Sequence, residues 1–317
     1  MMKFFLAVII SYLIVRFVMP WFIDLSTKLN FVDKPTSRKK HNKATPLCGG
    51  LVMYIGFAIC FILFVGLGNI KHVAILIGSF LVISIGIVDD YYKTKGLEFG
   101  IIPRVIVQVT SAVILYSVGI RFTGFMNPFT NTYFVFPHYL QFILTILWVF
   151  GVTTVINFSD GLDGLAGGFS CISAFTLFIV ALYKGQTISA LISVILIGIT
   201  AGFLKYNMHP AKIFMGDSGA NFLGYILAVI SLYGAFKQAT IISVFIPILA
   251  LGVPIFDNIF VMIKRFLQHK PVYKADSSQI HYRLLDSGMN TKQVVGYLFL
   301  INICLNLTSI IILLLKI

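Results

Sequence analysis

Long apolar runs separated by short polar turns constrain this chain more than any other feature. They fall near residues 4–22, 47–66, 72–88, 103–120, 139–157, 164–183, 187–204, 217–235, 239–263 and 294–315. A hydrocarbon core about 30 Å thick is crossed by roughly 20 mostly apolar residues in a helix. Lipid offers no partner to free backbone N–H and C=O groups, so each run is expected to be a helix rather than a strand. The expected fold is all-α, a polytopic membrane protein of about ten transmembrane helices, with residues 1–317 as one domain. Gly252 and Pro254 inside the ninth run predict a bend or break there. Only 11% of residues are charged, against roughly 25% in soluble domains, which excludes a water-soluble fold. Lys3 precedes the first run, but Arg16 interrupts it, Pro20 follows and no small-residue cleavage site appears, so a retained span is expected. Cys48, Cys60, Cys171 and Cys304 lack any metal or redox spacing and read as apolar helix residues.

Charge sets the expected orientation. Taking alternate loops together, one set holds 17 Lys and Arg residues and the other 6, with Arg16 inside a span left out. The first set is expected in the cytoplasm, which puts both termini outside. All eleven Asp and Glu residues fall in that same set or at span ends facing it. The positive-inside rule concerns cations, so the acids call for another cause, and a face that binds cations and handles phosphate supplies one. The formal net charge of +13 then reflects loops facing anionic lipid and phosphate substrates, not nucleic acid.

Four segments on this face carry candidate chemistry. The third run ends in Asp89-Asp90-Tyr91-Tyr92, and adjacent carboxylates near a bilayer persist with a cation or basic partners, or as solvated caps. Asn157-Phe158-Ser159-Asp160-Gly161-Leu162-Asp163-Gly164 forms a polar turn whose two acids, three apart, could share one face at a helix start or simply cap it. Met215-Gly216-Asp217-Ser218-Gly219 opens the eighth run; such a start offers amide donors to a phosphate, and Asp217 offers oxygen to a hard cation. The last cytoplasmic loop carries Gln279-Ile280-His281-Tyr282-Arg283, where His281 and Arg283 could grip a pyrophosphate or serve as loop polar groups. The first cytoplasmic loop, with Arg38, Lys39 and His41, could be a basic patch facing lipid.

Together and in this order, DDYYK, NFSDGLDGLAGG, MGDSGANFLG and ADSSQIHYRLL resemble the polyprenyl-phosphate N-acetylhexosamine-1-phosphate transferase superfamily, the glycosyltransferase 4 family. That superfamily includes phospho-MurNAc-pentapeptide translocase and the bacterial GlcNAc-1-phosphate transferases of teichoic-acid and O-antigen synthesis. The opening DKPTSRKKHNKATPLCGG and the last loop look like the GlcNAc branch, with Gln279 and Tyr282 where histidines are usual.

The resemblance implies transfer of a sugar 1-phosphate, GlcNAc in the first reading, from a UDP-N-acetylhexosamine to undecaprenyl or another polyprenyl phosphate. UMP is released, and the step opens a cell-wall or surface polysaccharide pathway at the cytoplasmic membrane. It implies a Mg²⁺ cofactor, with Mn²⁺ as the alternative, held by Asp217 and Asp89. It further implies Asp89, Asp90, Asp217 and His281 as catalytic residues, with Arg38, Lys39, His41, Asn157, Asp160, Asp163 and Arg283 binding substrates. A homodimer is also expected. The alternative substrate is the MurNAc-pentapeptide donor. The alternative class is a multi-span transporter, which would place its polar site near the midplane rather than at one set of span ends.

Overall fold

A computed structural model describes residues 1–33, 44–126, 130, 132–235, 241–269 and 278–315. The described residues form twelve α-helices. They are α1 (Met2–Lys28), α2 (Gly49–Phe64), α3 (Ile70–Thr94), α4 (Ile101–Ser117), α5 (His138–Phe158) and α6 (Leu165–Tyr183). The rest are α7 (Thr187–Asn207), α8 (Gly216–Ile230), α9 (Ile241–Ala250), α10 (Gly252–Leu267), α11 (Ile280–Asp286) and α12 (Thr291–Leu314). Six of them, α1, α3, α5, α6, α7 and α12, are long and apolar enough to cross a membrane. The chain is a multi-pass, all-α membrane protein. Sequence reasoning expected no strands, and two very short antiparallel pairs interrupt the helices: β1 (Val32–Asp33) with β2 (Thr45–Pro46), and β3 (Gly124–Met126) with β4 (Tyr133–Val135).

Nine of the ten expected runs correspond to one helix each. The eighth continues into a π-helical turn at Ser231–Ala235. The ninth is broken between α9 and α10, as Gly252 and Pro254 foretold. Pro254 has no N–H to donate, so the carbonyl of Ala250 loses its helical partner. Two side chains replace it: Ser173 Oγ donates at 2.5 Å and Asn306 Nδ2 at 3.2 Å. Ser309 Oγ likewise donates to the carbonyl of Ile246 at 3.0 Å. A broken helix persists at this depth because Ser173 of α6 and Asn306 of α12 satisfy the freed carbonyl of Ala250.

The centre of the bundle is α8, in which every residue from Ser218 to Ile230 is buried. A helix apolar on all sides belongs in a core, and small residues let its neighbours approach closely. A Cβ on Gly50 of α2 would overlap the backbone N and Cα of Gly219 or lie against them, and one on Gly86 of α3 would do the same to Ser218. On the far side a Cβ on Gly224 would come within 2.6 Å of Thr153 Cα on α5. Glycines thus clamp the first turn of α8 between α2 and α3.

Candidate active site

The glycine-mediated contact of α3 with α8 determines where the acids go. Gly216 opens α8 with φ +68°, and a Cβ there would overlap the carboxylate of Asp90. Asp90, at 0% exposure, accepts from the backbone N–H groups of Asp217 (2.8 Å to Oδ1) and Ser218 (3.0 Å to Oδ2). Sequence reasoning expected this helix start to offer free amides to a phosphate. Two of them are instead taken by Asp90, because an anion on α3 reaches the positive end of α8 first.

Asp89, the preceding residue, faces α4. Arg104, near the start of α4, donates from Nη1 to Asp89 Oδ2 at 3.0 Å and to Asp217 Oδ2 at 3.4 Å. Lys93 Nζ lies 2.7 Å from Asp217 Oδ1 and 3.9 Å from Asp89 Oδ2. Two carboxylates from helices far apart in sequence therefore share two cations. Loop composition alone counted Lys93 and Arg104 as inside-facing charge and missed them as site residues. The available signal was helical spacing, since Lys93 follows Asp89 by four positions and so lies on the same face.

The turn between α5 and α6 approaches from the other side. Asp163 accepts from His209 Nδ1 (2.8 Å) and from the N–H of Ala211 (3.1 Å), tying the turn to the segment before α8. Asn207 reinforces the tie: its Oδ1 accepts from the N–H of Gly164 (2.9 Å) and its Nδ2 donates to the carbonyl of Ile213 (2.7 Å). Asp160 and Asp163 both precede α6 and do not share its first turn. Asp163 is spent on the neighbouring segment, while the Asp160 side chain accepts no hydrogen bond among the described residues. Loss of solvation pushes the Asp160 carboxyl up to about 8, with the Asp217 carboxylate adding to the shift. Asn157 Nδ2 is buried with no hydrogen-bond partner among the described residues.

The short helix α11 closes the arrangement. Asp257 on α10 accepts from the N–H of Ile280 at 2.9 Å and from Arg283 Nη2 at 3.4 Å, while the Arg283 guanidinium stacks 4.4 Å above the Phe260 ring. Gln279 donates from Nε2 to the carbonyl of Phe158 at 3.2 Å, so it ties α11 to the end of α5. His281 is 1% exposed, and its Nε2 is buried, without a partner among the described residues, in the space that a Cβ on Gly161 would fill. Burial lowers its pKa to about 4, so the imidazole is neutral at pH 7. Burial, and then the Asp160 carboxylate, raises the neighbouring Tyr282.

Asp89, Asp90 and Asp217 are thus in one cluster. Asp160 is close enough to feel Asp217, and His281 packs on the residue after Asp160. Arg283, expected on a phosphate, is held by Asp257 and Phe260. Arg38, Lys39 and His41 lie outside the described residues, but the stem of their loop is fixed beside α8. The N–H of Phe214 donates to the carbonyl of Pro46 (2.8 Å), and the N–H groups of Gly49 and Gly50 donate to the carbonyls of Phe214 (3.0 Å) and Met215 (3.1 Å).

Among the described residues, no three His, Cys, Asp or Glu side chains converge to hold a metal by themselves. Mg²⁺ needs less, because it is usually bound by one or two carboxylates and completed by substrate phosphates and water. Asp89 and Asp217, joined through one guanidinium nitrogen, form a donor pair of that kind.

The model of "Glycosyl transferase family 4" matches residues 72–235. A Bacillus subtilis protein described as a probable undecaprenyl-phosphate N-acetylglucosaminyl 1-phosphate transferase is 38% identical over 312 residues, covering 98% of this chain and 85% of that protein. The decaprenyl-phosphate N-acetylglucosaminephosphotransferase of Mycolicibacterium smegmatis is 30% identical, over 93% of this chain and 77% of its own. The undecaprenyl-phosphate alpha-N-acetylglucosaminyl 1-phosphate transferase of Escherichia coli K12 is 24% identical, over 85% and 73%.

Proposed function

The chain belongs to glycosyl transferase family 4, and from that premise we propose that it transfers GlcNAc 1-phosphate from UDP-GlcNAc to undecaprenyl phosphate. The observation that carries the reading is the meeting of Asp89, Asp217, Lys93 and Arg104 at one end of the bundle. A transporter would place such charges near the midplane. The names of the B. subtilis and E. coli relatives give the sugar and the lipid.

An oxygen of the lipid phosphate attacks the sugar-side phosphorus of UDP-GlcNAc. The new P–O bond completes undecaprenyl pyrophosphate GlcNAc, and the bond to the other phosphate breaks with its electron pair on UMP. No proton need be removed, because a phosphate monoester with a second pKa near 6 is largely dianionic at pH 7. Such a reaction asks the protein for alignment and charge neutralisation. Lys93 and Arg104 supply positive charge between the two negatively charged substrates. Asp89 and Asp217 would hold Mg²⁺, which when bound offsets charge on the pyrophosphate and on the departing UMP. The Asp160 carboxyl and the Asn157 amide, which has no partner among the described residues, offer hydrogen bonds to the nucleotide sugar, and neutral His281 packs on Gly161 beside them.

The positive-inside bias puts this end of the bundle in the cytoplasm and both termini outside. Purified protein incubated with undecaprenyl phosphate, Mg²⁺ and a panel of UDP-sugars tests the proposal through UMP release. UMP formed only with UDP-GlcNAc supports it. Preference for the MurNAc-pentapeptide donor, or no UMP with any donor, overturns it.

A further inference from the structure

We infer that Asp90 is a positioning residue of the transfer reaction, its carboxylate fastening the first turn of α8, and with it Asp217, to α3. The inference rests on the proposed phosphosugar transfer for its kinetic readout but not for its geometry.

The helix that carries Asp217 begins without a cap of its own. Its N-cap residue is Met215, which provides no side-chain hydrogen bond, although the first amides of a helix need acceptors. Asp90 fills that need from a different helix, one oxygen to each of two consecutive N–H groups. Its negative charge also sits where the helix dipole favours it. The fit is tight on both sides: Gly216 leaves room for the carboxylate, and Gly86, one turn earlier on α3, leaves room for Ser218. Both adjacent acids are buried, and their partners set them apart: both oxygens of Asp90 are taken by backbone N–H groups of α8, whereas Asp89 meets the side-chain cations Arg104 and Lys93. The adjacent acids divide the work, one toward the reaction and one toward the backbone that aims Asp217.

The test compares wild type, Asp90→Asn and Asp90→Ala for UMP release from UDP-GlcNAc and undecaprenyl phosphate with Mg²⁺. Asn caps helices about as well as Asp and keeps one of the two acceptors. Losing one charged hydrogen bond predicts a fall in kcat of roughly tenfold for Asp90→Asn, and losing both on the order of 10³ for Asp90→Ala. In both variants KM for UDP-GlcNAc stays within about threefold and each chain still binds one donor, since Asp90 touches neither substrate. Asp90→Asn keeps every limb of the wild-type pH–rate profile. Asp90→Asn as inactive as Asp90→Ala, or a lost limb in its profile, would make Asp90 an acid–base group and overturn the inference.

Hydrogen exchange on the wild-type protein gives an answer independent of how the variants fold. The amides of Asp217 and Ser218 should exchange slowly despite being the first of their helix, and fast exchange would also overturn the inference. If the wild type releases no UMP from any donor, the functional reading fails, and the exchange measurement still decides the positioning role.

Discussion

Replacing Gly86 by alanine probes the α3–α8 contact without removing any polar group. The added Cβ would overlap Ser218 Cα and lie 2.7 Å from Ser218 N, where ordinary van der Waals contact begins at 3.4 Å. The obstacle is backbone rather than the tip of a flexible side chain. The two helices must therefore part by about 1 Å at the turn that carries Asp217, and a misplacement of that size can cost about 10²-fold in rate. Overpacking of this kind costs about 1–3 kcal/mol in stability. We expect Gly86→Ala to lower kcat for UMP release about 10²-fold, with UDP-GlcNAc binding changed by no more than about threefold, because donor contacts made by Asn157 and Asp160 are untouched. Gly151→Ala and Gly296→Ala are the matched controls, since a Cβ at either position meets nothing within 4 Å. Both should keep wild-type turnover. Wild-type kcat in Gly86→Ala would show that close α3–α8 packing does not align the site, and the argument from Asp217 placement would fall with it.

The remaining expectations concern individual charges. Asp217→Asn should abolish turnover in a folded protein, and chelation of Mg²⁺ in the wild type should do the same; near-normal activity in either experiment would remove the metal assignment. Arg104→Ala should reduce kcat by about 10- to 100-fold, because among the described residues the cation then left beside Asp89 is Lys93 at 3.9 Å, and Arg104→Lys should recover part of it; equal loss in both variants would show that the guanidinium geometry, not its charge, matters. Asp160 titrates near 8 in the folded state and near 4 when unfolded. The folded protein therefore holds the extra proton between those values, and stability falls as pH rises from about 4 to about 8. The melting temperature of Asp160→Asn should accordingly gain on wild type between pH 5 and pH 8; a pH-independent difference would contradict the partly buried, protonated carboxyl.

The sequence alone determined the helical, membrane-spanning character of this chain, because an unbroken apolar run in lipid can satisfy its backbone only within itself. It also determined the break in the ninth run, which follows from local residue types. Motif residues Asp89, Asp90, Asp160, Asp163, Asp217 and His281 were legible as a set, but their separate duties were not. Only the tertiary structure decided that Asp90 caps a helix beginning 126 positions later, that Arg104 joins Asp89 to Asp217, and that Asp163 and Gln279 tie loops together. A carboxylate has the same chemistry in every loop. What it does depends on which N–H or cation packing brings within 3 Å, and packing is a property of helices meeting across the bundle rather than of neighbours along the chain.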